Sequence, residues 1–303
     1  MKILVTGSRG QLGTELMKIL TTGASELGFL PDKLRGCEVV GVDVGELDIA
    51  DGAAVDRFFS EVRPALVFNC AAMTNVDGCE AQQALAYRVN ADGPGNLAVA
   101  SSRNGVRLLH VSTDYVFSGT AARPWTESDP CEPATAYGRT KLAGERLVLE
   151  HCPDACICRT AWLYGYTGNN FVKTMMRLGR EKGSVTVVDD QVGNPTCAVD
   201  LAYQMAVLVA SGETGVFHCT CNSDAVSWYV FTKAIMEVAG IDAEVRPCTT
   251  EEYARMSSRP AKRPAYSALD NMRLRETVGD VMRPWRDALD AWMRNYLDME
   301  KNG

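Results

Sequence analysis

The chain has 303 residues, 46% hydrophobic and 23% charged, with a formal net charge of −7 at pH 7; this is ordinary globular composition, enough for one large domain or two small ones. The acidic balance argues against a general nucleic-acid surface, and no run of about 18 apolar residues is present to span a membrane. The opening MKILVTGSRG turns polar too early for a secretory segment, so the 11 cysteines are expected as reduced thiols in a cytoplasmic protein. The clusters CICRT and HCTC are taken as small buried residues near strands. His110, His151 and His218 form no H-x-x-x-H pair, so no metal site is expected.

In chain order, KILVTG is a short buried-type strand, and QLGTELMKILTTGA carries apolar residues at helical spacing. Between them Gly7, Gly10 and Gly13 stand at G-x-x-G-x-x-G. Glycines there permit a tight turn, close approach to a pyrophosphate and close helix packing. The helix beyond opens with Gln11 and Leu12, where free N–H groups and the positive dipole end face a phosphate. The second strand, CEVVGVD, ends at Asp43, a carboxylate placed to accept hydrogen bonds from the adenosine ribose of NAD. Arg9, beside the loop, offers a guanidinium to the 2′-phosphate of NADP. The two pull in opposite directions, so NADPH and NADH both stay open.

DGAAVDRFFSEV is a helix opened by Asp51, PALVFNCAA a third strand, and CEAQQALAYRVNADGPGNLAVASSRNG a long helical stretch interrupted at Pro94. VRLLHVST, GRTKLAGERLVLEH and ACICRTAWLYG give a fourth strand, a helix and a fifth strand. This alternation predicts an α/β fold: a doubly wound parallel Rossmann sheet with helices on both faces. After Gly165 the rhythm changes. NFVKTMMRLGREKG, DLAYQMAVLVAS and WYVFTKAIMEVAG are helices, SVTVVDD and AEVRPCT strands, and SSRPAKRPAYS a loop. Residues 1–160 are therefore assigned to the dinucleotide-binding domain, its sheet completed by part of the later chain. Residues 161–303 go mainly to a smaller α/β lobe, with a discontinuous boundary.

The chemistry lies between Ser112 and Lys141, in STDYVFSGTAARPWTESDPCEPATAYGRTK. Tyr137 and Lys141 are spaced i, i+4 and share one helix face. A phenol of pKa about 10 is a poor acid near neutrality, and a nearby ammonium lowers that value. Thr113, at the carboxyl end of the fourth strand, supplies a hydroxyl to hold a substrate oxygen where open α/β sheets place ligands. Y-x-x-x-K is common on surface helices; its place after the glycine loop and after VST makes it a candidate proton-donor site. Asn90, in VNADG, fits a helix end, Trp162 fits plain core, and DQVGNPT fits a turn.

The chain resembles the extended short-chain dehydrogenase/reductases and, within them, the dTDP-4-dehydrorhamnose reductase family. TGSRGQLG, NCAAMTNVDGCE, YRVNADGPGNLA, VSTDYVFSG and AYGRTKLAGE carry the resemblance, with RTAWLYG, NNFVKTMMRL, VVDDQVGNPTCAVDLA and RPAYSAL following in order. It implies a catalytic set of Thr113, Tyr137 and Lys141, with Tyr137 giving a proton to a sugar carbonyl as a nicotinamide hydride attacks its carbon. Lys141 would lower the tyrosine pKa and bind the nicotinamide ribose. Ala71, Ala72 and Thr74 would line the nicotinamide side, Asp48 and Ile49 the adenine, and Asn90 is a secondary cofactor contact. The substrate implied is a dTDP-sugar: Asp114, Tyr115 and Trp162 would line the sugar with Thr74 and Val76 nearby, and Asn169, Arg263 and Ser267 would face the nucleotide. The implied reaction is reduction of the carbon-4 ketone of dTDP-4-dehydro-L-rhamnose by a monomer or homodimer. Other nucleotide-sugar 4-ketoreductases, and a non-catalytic methionine adenosyltransferase regulatory subunit, share these motifs. Some similar reductases form metal-bridged dimers through acids; Glu15 is present, but Val199 stands where another acid is expected, and valine offers no oxygen to Mg²⁺.

Overall fold

Short β-branched runs too brief for helices alternate with longer amphipathic stretches. In the computed structural model, which describes residues 1–256 and 261–302, they become strands and helices in turn. The strands of four residues or more are β1 (Lys2–Thr6), β2 (Glu38–Val42), β3 (Leu66–Asn69), β4 (Arg107–Thr113), β5 (Cys156–Thr160), β6 (Ser184–Val188), β7 (Gly215–His218) and β8 (Glu244–Cys248). The main helices are α1 (Gln11–Thr22), α2 (Gly52–Val62), α3 (Gly93–Asn104), α4 (Ala136–His151), α5 (Phe171–Lys182), α6 (Ala198–Ser211), α7 (Trp228–Ala239) and α8 (Trp285–Asn302).

Six strands form one sheet in the order β7-β5-β4-β3-β1-β2, every neighbouring pair parallel. Successive side chains alternate between faces. Ile3 and Val5 meet Leu16 and Ile19 of α1 and Met205 of α6 on one side. Leu4 and Val67 meet Val55 of α2, Leu97 of α3 and Val148 of α4 on the other. The doubly wound α/β sheet read from the alternation is thus the fold observed. The strand order reverses beside β1, which opens a crevice at the carboxyl ends of β1 and β3. The later chain adds a two-stranded parallel sheet, β6 with β8, whose Val185 and Val187 pack with Met236 of α7.

The structure departs from the sequence reading in three places. The long helical stretch is not broken at Pro94, which sits in the first turn of α3; a π-helical turn, Arg88–Asp92, precedes it. Proline has no N–H to give the carbonyl four residues back, that of Asn90, and the backbone widens there. That carbonyl faces Gly144 of α4, where an added Cβ would lie 2.1 Å from it. The fifth strand stops at Thr160, and Leu163–Tyr164 beyond it pairs instead with Thr196–Cys197 in a separate two-stranded sheet. Between them Trp162 takes a left-handed backbone, φ 45°, a conformation that carries a cost of about 1–3 kcal/mol and ends regular pairing. Helix α8 was not anticipated; it buries Ala288, Leu289, Trp292 and Met293 against Tyr164, Phe231 and Ile235. Ser257 to Pro260, the start of the expected SSRPAKRPAYS loop, lie outside the described residues. All 11 cysteines are free thiols, and no helix among the described residues is long and apolar enough to cross a membrane.

Gly144→Ala tests the contact between α4 and the π turn. We expect a loss of about 1–3 kcal/mol, the usual scale of overpacking, as a lower urea midpoint. A gain of about 0.5–1 kcal/mol, usual for a helical glycine with room for a methyl, would show that the two elements do not meet this closely.

Candidate active site

The turn after β1 is in backbone contact with the chain leaving β3. A Cβ on Gly7 would lie 2.7 Å from the Ala71 nitrogen, and one on Gly13 would lie 2.1 Å from the Gly7 carbonyl oxygen. Gly10 caps α1 without a side chain, so the amides of Gln11, Leu12 and Gly13 remain open at the positive end of the helix. This cradle, which side chains would fill, fits a pyrophosphate. Leu12 buries its side chain in the core. Gln11 ties the turn to the later chain, donating to the Leu163 carbonyl at 3.0 Å and accepting from Asn170 at 2.9 Å.

At the end of β2 the expected opposition of Asp43 and Arg9 has a third member. Asp43 Oδ2 accepts from the Arg9 amide at 2.8 Å and the Ser8 hydroxyl at 3.2 Å. The Arg9 guanidinium pairs with Glu46, whose other oxygen accepts from the Asp43 amide at 3.0 Å. That partner holds the Glu46 carboxyl below its usual range and raises Arg9. Sequence spacing gave no signal for Glu46. Asp48 accepts from the Ala50 amide at 2.9 Å and lies 3.6 Å from Arg88, while Ile49 is buried.

Beyond β3, Ala71 and Ala72 are half-buried and Thr74 is exposed. Val76 opens a short helix, Val76–Ala81, capped by Asn75. Asn90 is fully buried. Its side chain is bonded to protein: Oδ1 accepts from the Met73 amide at 2.8 Å, and Nδ2 donates to the Met73 carbonyl at 3.0 Å and the Thr140 hydroxyl at 3.2 Å. It pins the segment after β3 to α4.

Thr113 ends β4 and Tyr137 lies in the first turn of α4, whose N-cap Thr135 accepts from Gly138. The Thr113 hydroxyl donates to Asp114 at 2.9 Å and accepts from the Tyr115 amide at 3.2 Å. It also faces the phenol of Tyr137, where a bond from it favours the ionised form. Burial pushes Tyr137 well above the ordinary phenol range; the Thr113 bond opposes that, and Asp114 and Cys79 add to it. Lys141 lies one turn along α4 from Tyr137. Its amine is buried, donates to the Val111 carbonyl at 2.7 Å and lies 3.2 Å from His110 Nε2. Burial lowers it to about 8 against the pull of Glu145 and Cys70.

Tyr115 packs edge-on to Tyr137, ring centroids 5.6 Å apart, and lines a cavity of about 570 Å³ with Phe171, Met175, Gln191, Trp228 and Arg263. Arg263 is held by Asp77 at 2.6 Å. Phe171, Met175 and Trp228 were missed because only tertiary packing brings their helices to the cavity. Trp162 stacks flat on Trp228 at 3.4 Å. Asn169 is exposed, while its neighbour Asn170 caps α5. Ser267 is buried beside Asp114. Its hydroxyl lowers the Asp114 pKa, although Asp114 Oδ2 makes no hydrogen bond of good geometry among the described residues. Glu15 is buried in α1 and raised by that burial; Val199 is buried in α6, which packs against α1.

Burial raises Asp114 from an ordinary 3.8 to about 6, against bonds from Ser267 and Thr113. A carboxyl with a higher pKa folded than unfolded favours folding when protonated, so this contribution is lost as pH rises through about 6. Asp114→Asn cannot ionise and should melt above the wild type at about pH 8, by at most about 3 kcal/mol, with the gap closing by about pH 4. A wild type at least as stable as the variant at the higher pH would show that Asp114 is not ionised in a buried site.

The family described as RmlD substrate binding domain matches residues 1–297. The dTDP-4-dehydrorhamnose reductase of Streptomyces griseus is 45% identical over 293 residues, covering 94% of this chain and 91% of that protein. A solved dTDP-4-dehydrorhamnose reductase from Clostridium acetobutylicum is 48% identical with a TM-score of 0.90, over 99% of this chain and 100% of its own. The dTDP-4-dehydrorhamnose reductase of Bacillus anthracis, solved in complex with NADP, is 36% identical with a TM-score of 0.88, over 97% of this chain and 99% of its own.

Proposed function

This chain belongs to the RmlD substrate binding domain family, and from that premise we propose that it is an NAD(P)H-dependent oxidoreductase that reduces the 4-keto group of a dTDP-sugar. The substrate proposed is dTDP-4-dehydro-L-rhamnose and the product dTDP-L-rhamnose. The observation that carries this reading is the hydroxyl pair of Thr113 and Tyr137 at the end of β4, between the glycine turn and the cavity lined by Tyr115 and Arg263.

The bound nicotinamide would supply a hydride. Gly7, Gly10 and Gly13, with the amides of Gln11, Leu12 and Gly13, hold the pyrophosphate. Asp43, Arg9 and Glu46 meet the adenosine ribose, Asp48 and Ile49 the adenine, and Ala71, Ala72 and Thr74 the nicotinamide side. Asn90 acts through Met73 by fixing that segment. The substrate carbonyl oxygen sits between Thr113 and Tyr137, and Tyr137 releases its proton to it. Asp114, Tyr115 and Val76 border the sugar and Arg263 the nucleotide phosphates. Trp228 and Gln191 join them as cavity walls. Trp162 acts by backing Trp228, and Ser267 by backing Asp114. Residues 1–160 with β7 form the cofactor domain, and most of 161–303 forms the nucleotide-sugar lobe. Free cysteines accord with a reducing cytoplasm, where we place a monomer or homodimer.

Two measurements test this. In an assay of nicotinamide oxidation with dTDP-4-dehydro-L-rhamnose, Tyr137→Phe should cut turnover by about 10²–10⁴-fold, the scale of general acid catalysis, with cofactor affinity kept. Turnover within about threefold of wild type removes Tyr137 from the mechanism. For cofactor choice, Glu46→Gln frees Arg9 and should move the kcat/KM ratio toward NADPH by roughly three- to tenfold, since exposed ion pairs are individually weak. Asp43→Ala should act in the same direction and Arg9→Ala toward NADH, all less at high salt. An unmoved ratio in both acidic variants would show that this corner does not touch the ribose.

A further inference from the structure

One obligatory donor and one buried amide settle a proton position beneath the site. Asn69, the last residue of β3, is fully buried. Its side-chain oxygen accepts from the Ala71 amide at 3.1 Å and the Thr6 hydroxyl at 2.7 Å. A backbone N–H only donates, so the atom facing Ala71 is the oxygen and the other atom is the NH₂ group. That NH₂ lies 3.0 Å from Nδ1 of His110, which is also fully buried. Nδ1 must then be the acceptor, and the ring proton sits on Nε2. Nε2–H points at the Lys141 amine 3.2 Å away, while that amine donates to the Val111 carbonyl at 2.7 Å. An N–H aimed at an amine needs a lone pair there, and an ammonium has none.

We propose that His110 is a positioning residue: in the tautomer fixed by Asn69, it holds Lys141 as a neutral amine against β4, and binding of the nicotinamide cofactor draws Lys141 off with uptake of one proton from solvent. The second half rests on the proposed function, with Lys141 at the nicotinamide ribose as the family resemblance implies. The first half rests on hydrogen-bond direction alone. The other groups facing Lys141 are Cys70 where the chain leaves β3 and Glu145 one turn along α4. The Cys70 thiol is pushed far up by burial and stays uncharged. Glu145 is committed to a buried pair with Arg159, 2.6 Å long, which leaves it little hold on the lysine. Burial also keeps His110 well below its ordinary pKa, consistent with a neutral ring. The chain of bonds starts at Ala71, against which Gly7 packs, so the cradle for the pyrophosphate and the state of Lys141 share one backbone segment.

The three histidines make the test self-assigning. In a two-dimensional ¹H–¹⁵N spectrum of the histidine rings, His218 should carry its proton on Nδ1, which faces the carbonyls of Trp125 and Asp270 at 3.1 and 3.2 Å. His151 is exposed and gives the third signal set. His110 should show Nε2–H at about pH 9, above the value of about 8 to which burial lowers Lys141. Asn69→Asp has nearly the same shape but puts an acceptor where the donor was, so the His110 proton should move to Nδ1. Calorimetry of NADPH binding in buffers of different ionisation enthalpy should show close to one proton taken up at about pH 9, and several-fold less in Asn69→Asp, where Lys141 is already charged. A wild-type His110 protonated on Nδ1, or on both nitrogens, overturns the proposal even if the variant fails to fold. So does Nε2–H with no proton uptake, which also removes Lys141 from the cofactor site. Proton uptake without reduction of any dTDP-4-keto sugar would count against the proposed function and leave this inference standing.

Discussion

A methyl group at Gly7 would occupy the space of the Ala71 amide, and one at Gly13 that of the Gly7 carbonyl. That absence of side chains lets the exits of β1 and β3 and the start of α1 converge within van der Waals contact. The other site elements are placed relative to that convergence. Asn69 reaches Thr6 across the same gap, Asn90 holds the next segment through Met73, and Asp43 steadies the turn from the opposite side through the Arg9 amide. A parallel sheet puts all of these loops at one edge; the glycines decide how close they come.

Helix α4 joins the site to the sheet. Tyr137, Lys141 and Glu145 recur every four residues and so share one face. They reach Thr113, then His110 and Val111 on β4, then Arg159 on β5. Breaking a buried pair such as Glu145 with Arg159 is strongly destabilising, although forming it adds little net stability. Its value here is registry: it fixes the helix along its axis, and the tyrosine at the other end inherits that position. On a second side, Gly144 lets the helix settle against the Asn90 carbonyl of the π turn.

The parts of this arrangement legible in the sequence are those written in local pattern. The glycine turn, the strand periodicity and the Asp51 cap are short-range signals, and the strand-to-helix spacing that brings Thr113 to Tyr137 follows from the repeated βα unit. What was not legible depends on distant residues. Glu46 takes the Arg9 guanidinium only because of how the chain bends after β2. Spacing put Lys141 on the tyrosine's face correctly, yet could not say that its amine would turn toward a strand carbonyl. Trp162 looked like either core or sugar contact; its left-handed backbone and its partner Trp228, 66 positions later, could not be inferred from the stretch around it. Helix α8 follows a local amphipathic pattern, but the surfaces of Tyr164, Phe231 and Ile235 that its apolar face covers come from distant parts of the chain.

The stacked indoles have an optical consequence. Two of the five tryptophans lie face to face at 3.4 Å, close enough for their excited states to couple, and one of the pair lines the cavity. Such a dimer has a near-ultraviolet circular dichroism band whose sign and size depend on the angle between the rings. Any guest that tilts Trp228 by a few degrees therefore rewrites that band, and the unlabelled protein carries its own spectroscopic gauge of whether the cavity is filled.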